Sequence, residues 1–571
     1  IRRPPRSTLF PTRRSSDLDV KLDVSGETPE LGGAAAKKMA PAIVEHQSTA
    51  VDGMSGATVS SEAIRKAVAA AIEKAGADPK KYDVKVAKTV GADETLTADI
   101  VVVGAGASGT AAAVTAAEAG AKVIVLEKGP AVGGAGKLAS GLFAVESSMQ
   151  KAKYKNNPEL LSQLTKDQLY KQLMDYNHYL SSASITRRVI DESSSTVDWM
   201  NKHGAKLELI DWNPQQGQNP YPIRWRIYHR YVDNAGAFKN MYDAFGKLGG
   251  KLLLQTRAYD LTQDKDGNVT AVIAEKADGG KLTIKTSAVI LASGGYGADQ
   301  SLLPPKMKSF LFYGVDGETG DGLKMGEAIG AATINMDLVK QYPQGVETRP
   351  HHGLAATASS TDTMKKSGAI YVNRDGKRFV DENAGLGVLT DKTIEQPGSI
   401  AYIVMDEAAW KQYVAKSLED KLVPSAESLN EWTKIVNNGH PVMAVSKSLE
   451  DAAKQMGIDP KGLEATVKHW NDMVKAGSDK DFSRRLTGGL AEGGTWRIVE
   501  QKVRYQTTLG GLKADGAMRI LKKDGSAIPG LYGAGCVVGG ANGADSMTAM
   551  MNSWAIVSGV VAAESAASYA K

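Results

Sequence analysis

The chain has 571 residues, 42% hydrophobic and 23% charged, with one cysteine and eight histidines. At about 100–200 residues per domain that is two to four domains, and the composition argues against wholesale disorder. A lone cysteine excludes a disulfide framework or a multi-cysteine metal site, no His-x-x-x-His spacing marks a metal centre, and no run of about 18 apolar residues exists to span a bilayer.

Residues 1–18 hold five arginines, one aspartate and three prolines without periodicity, and carry +4 of the net charge of +5. They are expected to be a non-native leader, similar to the translated read of a sequencing adapter, with the native start and any export signal missing. The competing reading is a nucleic-acid-binding arm; without it the chain has no basic face for nucleic acid. Residues 19–76 read as a small module, in which Ser60-Ser61-Glu62 starts a helix with Ile64, Val68 and Ile72 on one face, stopped at Gly76. Residues 77–98 are polar and read as a linker, and 99–571 as the large body.

The body opens on an apolar strand, Ile100 to Val103, a glycine turn, an alanine-rich helix to Gly120 and a second strand, Lys122 to Glu127. This βαβ order predicts a parallel, doubly wound sheet. Gly104, Gly106 and Gly109 stand in G-x-G-x-x-G spacing, with Glu127 placed to accept ribose hydroxyls, which together predict a dinucleotide on the helix N-terminus. The loop after the second strand (Lys128, Gly134, Ala135, Gly136, Gly141) favours FAD over NAD. Strands ending at Gly294-Gly295 and at Gly535 are expected to meet the same nucleotide. The segments of about 145–250 and 335–500 between them would supply a substrate-covering domain. Trp212, Tyr221, Trp225, Tyr228 and Tyr231 read either as an aromatic substrate wall or as ordinary core.

The body resembles the flavoprotein subunits of fumarate reductase and succinate dehydrogenase, especially the soluble fumarate and urocanate reductase branch, over about residues 97–567. The marks are the two glycine loops, Ala292 to Gly297, Thr319-Gly320-Asp321-Gly322, Gly368 to Phe379, Asp481-Phe482, Thr508 to Gly511 and Ile528 to Gly535. The resemblance implies an FAD domain of about 99–335 and 500–571 and an inserted α+β capping domain of about 336–499. It places Ser108, Glu127, Ala135, Gly136, Gly141, Ala258, Asp321, Met551 and Asn552 against non-covalent FAD. In the leading module, Asp52-Gly53-Met54-Ser55-Gly56-Ala57-Thr58 is similar to the acceptor motif of FMN-binding domains. That implies FMN joined by a separate transferase to the Thr58 hydroxyl; a plain helix-cap turn is the alternative.

The same resemblance identifies what the active site lacks. Tyr342 and Gln506 stand where the family has histidines, Ser546 where it clamps a carboxylate with arginine, and Leu386 near its acid arginine. From Phe379 to Ser483 there is no arginine. Neutral groups do not replace a guanidinium on a dicarboxylate, so fumarate is not the expected substrate. Asp362 and Lys365 match the family's proton-relay segment, and Tyr342 and Tyr505 are candidate proton donors or packing groups. Cys536 takes the place of an acid and reads as packing. The expected function is reduction of an activated C=C bond, in an enone or a cinnamate-like or other bulky alkene. Electrons would come through FMN from a quinol- or cytochrome-linked donor, in an exported or cytoplasmic protein. The alternatives are a dehydrogenase of the 3-ketosteroid Δ1 type and a non-catalytic electron-transfer flavoprotein.

Overall fold

The computed structural model describes residues 19–571 apart from 26, 28–31, 55–56, 87–89, 162–164, 211–225 and 548. The 1–18 leader, and Trp212, Tyr221 and Trp225 of the aromatic segment, lie outside the described residues.

The leading module packs two helices, Ala34–His46 and Thr58–Lys74, over a small core that includes Met39, Ile43, Ile64 and Val68. The second helix starts at Thr58, two residues before the expected Ser60. Ser61 is not a cap: its hydroxyl is buried and accepts the Met54 N–H at 3.0 Å, pinning the turn that precedes the helix.

In the body, the strand Ile100–Val103 is buried along its whole length. It sits in a six-stranded sheet with Val123–Leu126 on one side and Ala288–Leu291, then Ala527–Gly533, on the other, all parallel. Continuous apolar strands suit a sheet covered on both faces. The helices Ala107–Glu118 and Met550–Ala570 pack together against it, and Gly559 lets them close: a Cβ there would stand 2.3 Å from the Ser108 carbonyl oxygen.

Two expectations are corrected. Glu94–Thr97, assigned to the linker, is a strand paired in parallel with Lys281–Lys285. Of the segment at 145–250, Val189, Val197, Tyr228, Phe238 and Phe245 enter the same core as the nucleotide-domain strands, so its described part thickens that domain instead of forming a cover.

The capping domain is built on a seven-stranded sheet centred on Val339–Arg349 and Trp496–Thr508. One core beside this sheet holds Trp410, Tyr413 and Met364, and another holds Trp470, Leu463 and Ile498. The thirteen-residue strand Trp496–Thr508 crosses the expected boundary at residue 500. It pairs with the cap strand Ile400–Met405 near one end and reaches the nucleotide domain at the other.

Candidate active site

Each glycine of the first turn has its own reason. Gly104 has φ +107°, and a Cβ there would lie 2.4 Å from the Ala292 carbonyl oxygen; one on Gly109 would lie 1.9 Å from that of Gly104. Nothing lies within 4 Å of a Cβ on Gly106. The first and third glycines therefore close the fold, and the middle one leaves room at the N-terminus of the helix Ala107–Glu118. Its N-cap has no side-chain bond, so the first N–H groups remain available to a phosphate.

Around this turn the chain brings its other cofactor candidates together. Glu127 accepts the Ala105 N–H at 2.8 Å and the Gly129 N–H at 2.6 Å, which fixes its carboxylate beside the turn. A Cβ on Gly535 would stand 2.6 Å from Ser108 Oγ, and Asn552 donates to the Gly141 carbonyl at 3.2 Å. Lys128 and Arg257 each reach Asp321 at 2.6 Å. Burial opposes ionisation of Asp321, but the Arg257 hydrogen bond and the Lys128 charge outweigh it and hold its pKa at about 2. Ala258 is buried, Met551 half-buried, and Gly134 and Ala135 exposed beside buried Gly136. Two buried oxygens, Glu318 Oε2 and Asn552 Oδ1, have no hydrogen-bond partner among the described residues. Glu318 lies beside Gly294 and Gly295, and burial pushes its pKa up to about 8 against the pull of Lys128. Open space at a helix N-terminus, with an unspent oxygen on Glu318 beside Gly294 and Gly295 and another on Asn552 near the start of the C-terminal helix, fits a dinucleotide.

A second set of side chains collects where the cap meets this domain. Tyr342 pairs in register with Arg504 on the neighbouring strand. The Arg504 guanidinium lies 4.0 Å from the ring centre of Tyr313 and 4.7 Å from that of Tyr342, and the two rings meet edge to face. The Tyr313 hydroxyl donates to Gln506 Oε1 at 2.9 Å. Lys340 lies 5.0 Å from the Tyr342 ring centre and ion-pairs with Asp545, beside Ser546, whose hydroxyl donates to Asn542 at 2.8 Å. Tyr313, Tyr342 and Leu386 are half-buried and Gln506 is exposed.

Residues 99–550 match the family model of the FAD binding domain, and residues 16–73 that of the FMN-binding domain. The chain belongs to this FAD-binding family. It is 31% identical over 484 residues to the fumarate reductase (cytochrome) of Shewanella frigidimarina, covering 83% of this chain and 78% of that one. It is 29% identical over 466 residues to the vinyl phenol reductase of Lactiplantibacillus plantarum, covering 78% and 90%. The open conformation of a flavocytochrome c3 fumarate reductase superposes with a TM-score of 0.68 over 86% of this chain and 83% of that one, at 24% identity, and so shares the fold. The protein is thus a fumarate-reductase-like flavoprotein with an FMN module, a flavin-dependent oxidoreductase acting on C=C or CH–CH bonds.

In this FAD-family frame the predicted catalytic residues separate. Tyr342 and Gln506 join the cluster at the cap junction through Arg504 and Tyr313, and Ser546 borders it. Tyr505 faces the other way: its hydroxyl donates to the Gly297 carbonyl at 2.6 Å and its ring packs on Phe312. That geometry corrects the proton-donor reading to the packing one. The relay pair is also altered. Asp362 binds Lys366 at 2.7 Å and accepts from Gln412, whereas Lys365 is exposed. Sequence reading missed Arg504, Tyr313 and Lys340. The signal for Arg504 is its place two residues before Gln506 on one strand, where alternate side chains share a face.

In the leading module Thr58 is exposed as the first residue of its helix, and Asp52 is exposed on the preceding turn. Arg65 anchors that turn by donating to the Val51 carbonyl at 2.8 Å. Among the described residues no helix is long and apolar enough to cross a membrane, and no cluster of potential metal ligands is present.

Proposed function

We propose that the protein reduces the activated C=C bond of a flat, bulky alkene, enone or cinnamate-like, in preference to fumarate. The observation that carries this reading is the set of neutral side chains, Tyr342, Gln506, Leu386 and Ser546, at the positions where the family resemblance expects cationic or protonatable grips. The aromatic walls of Tyr313 and Tyr342 supply the shape contact that such a substrate needs. A relative whose name is vinyl phenol reductase supports an aromatic alkene.

When bound, FAD supplies a hydride to the β-carbon. The chain's own residues position the alkene against the aromatic walls and deliver a proton to its α-carbon, for which Tyr342 is the donor. Burial raises the Tyr342 pKa despite the Arg504 charge, so the hydroxyl is protonated at neutral pH. Tyr342→Phe is expected to lower kcat by about 10²–10⁴-fold, the range of general acid catalysis.

Thr58 would hold FMN, joined by a transferase, and that group would supply electron transfer from a quinol- or cytochrome-linked donor, in an exported protein. The exposed hydroxyl at a helix N-terminus suits a phosphate there. Thr58→Ala is expected to abolish flavin fluorescence that survives denaturing electrophoresis while non-covalent FAD remains.

The deciding assay is anaerobic: flavin reduced by viologen, then fumarate, urocanate, cinnamates and enones in turn. Reoxidation by a cinnamate or enone faster than by fumarate is the expected result. Fumarate as the fastest substrate sinks the reading.

A further inference from the structure

The loss of cationic residues at the four family positions does not leave the cap junction without positive charge. Arg504 is 4% exposed. Its Nη2 donates to Thr357 Oγ1 at 2.7 Å, while Nε and Nη1 have no hydrogen-bond partner among the described residues. No carboxylate among the described residues forms an ion pair with it. Asp545, whose charge bears on the neighbouring Tyr342, is committed to Lys340. Arginine keeps its charge at any accessible pH, so burial cannot be relieved by losing a proton. A buried, permanently charged fork with free donors is costly unless an anion meets it. The Tyr313 and Tyr342 ring centres lie 4.0 and 4.7 Å from the guanidinium with their rings nearly perpendicular, so they flank it without sandwiching it, and the unpartnered Nε–H and Nη1–H are donors a carboxylate takes.

We infer that Arg504 is the anion grip of this pocket and binds the single carboxylate of a flat 2-enoic acid lying against Tyr313 and Tyr342. The inference rests on the proposed reductase reading and narrows it: within the bulky alkenes, an aromatic monocarboxylate is selected over its neutral counterparts. One grip and no second at Ser546 or Leu386 also explains why a diacid is disfavoured. Its other carboxylate would be desolvated beside Gln506 and the tyrosine rings without a cation of its own.

The test compares 4-hydroxycinnamate with its methyl ester, with 4-vinylphenol, which lacks only the carboxyl group, and with fumarate. Holoprotein is used, with reduced viologen for turnover and flavin difference spectra of the oxidised protein for binding. The acid is expected to show the lowest KM and Kd. Arg504→Gln should raise both for the acid by about 30–100-fold and leave those for the ester and 4-vinylphenol within about two-fold, as loss of a charge-assisted pair requires. Arg504→Lys keeps the charge but loses the fork, and should fall between; it stands in if the glutamine variant does not fold. Equal loss for acid and ester, or a wild-type preference for 4-vinylphenol, overturns the grip while leaving the reductase reading intact. Reoxidation by none of the aromatic alkenes sinks that reading instead; the binding titration then judges Arg504 separately, since unaltered acid binding in Arg504→Gln overturns it.

Discussion

Two buried arginines of the cap make an instructive pair. Arg484 lies 4.8 Å from the ring centre of Trp470, donates to the carbonyls of Ala369, Met364 and Ser367, and meets Glu382 at 3.3 Å. Glu382 also binds Arg378 at 2.7 Å, and Arg378 binds Asp479 at 3.0 Å. Only Nε of Arg484 is left over. Arg504 has the same aromatic packing and none of the acids. Where the guanidinium serves the fold, the chain supplies its own carboxylates; where none is supplied, the complement has to come from outside. Glu318 is the mirror case. Its neighbouring cation, Lys128, is shared with Asp321, and the carboxyl meets burial by taking a proton, an escape closed to arginine.

The largest expected effect breaks the paired side of this comparison. Glu382→Gln strands buried Arg484, leaves Arg378 with Asp479 alone, and should cost about 3–5 kcal/mol in urea unfolding; a loss under about 1 kcal/mol would show the network to be idle. Glu318→Gln tests the mirror. The folded pKa of about 8 lies above the ordinary 4.5, so the neutral carboxyl's advantage is complete below pH 4.5 and is lost as pH rises to about 8. Wild-type stability should fall relative to Glu318→Gln across that window, by up to about 1.4 kcal/mol per pH unit. Parallel pH curves for the two proteins would refute the assignment. Arg504→Gln should leave ligand-free stability within about 1 kcal/mol of wild type, or raise it, because an unpaired buried cation is removed. A loss as large as that of Glu382→Gln would place Arg504 with the structural arginines. The smallest effect is expected of Tyr505→Phe, which gives up one hydrogen bond worth about 1 kcal/mol and should leave kcat unchanged.

Legibility in the sequence followed the distance between partners. Strand, glycine turn, helix and Glu127 lie within one short βαβ unit, so steric need is written in adjacent residues. Glu94–Thr97 is not legible because its alternation is short and polar and its partner, Lys281–Lys285, lies far along the chain. The described part of the 145–250 segment was assigned to the cover because its apolar residues do not reveal which sheet they join. The pocket was read only in part for the same reason. The family positions show the absences at Tyr342, Gln506, Leu386 and Ser546, but the arginine-free stretch from Phe379 to Ser483 ends short of Arg504. Only the pairing of Tyr342 with Arg504 reveals the substitute. Likewise Ser60 and Ser61 look like caps, yet the Ser61 hydroxyl is spent on Met54.

The strand Trp496–Thr508 has a mechanical consequence. Near its start Ile498 is embedded in a cap core, and at its end the Thr508 hydroxyl receives the Tyr296 N–H at 3.4 Å. Arg504 sits between these anchorages on one strand, where the pairing with Val339–Arg349 shifts register on either side of it. The backbone that carries the cation is thus shared by the cap and the nucleotide domain.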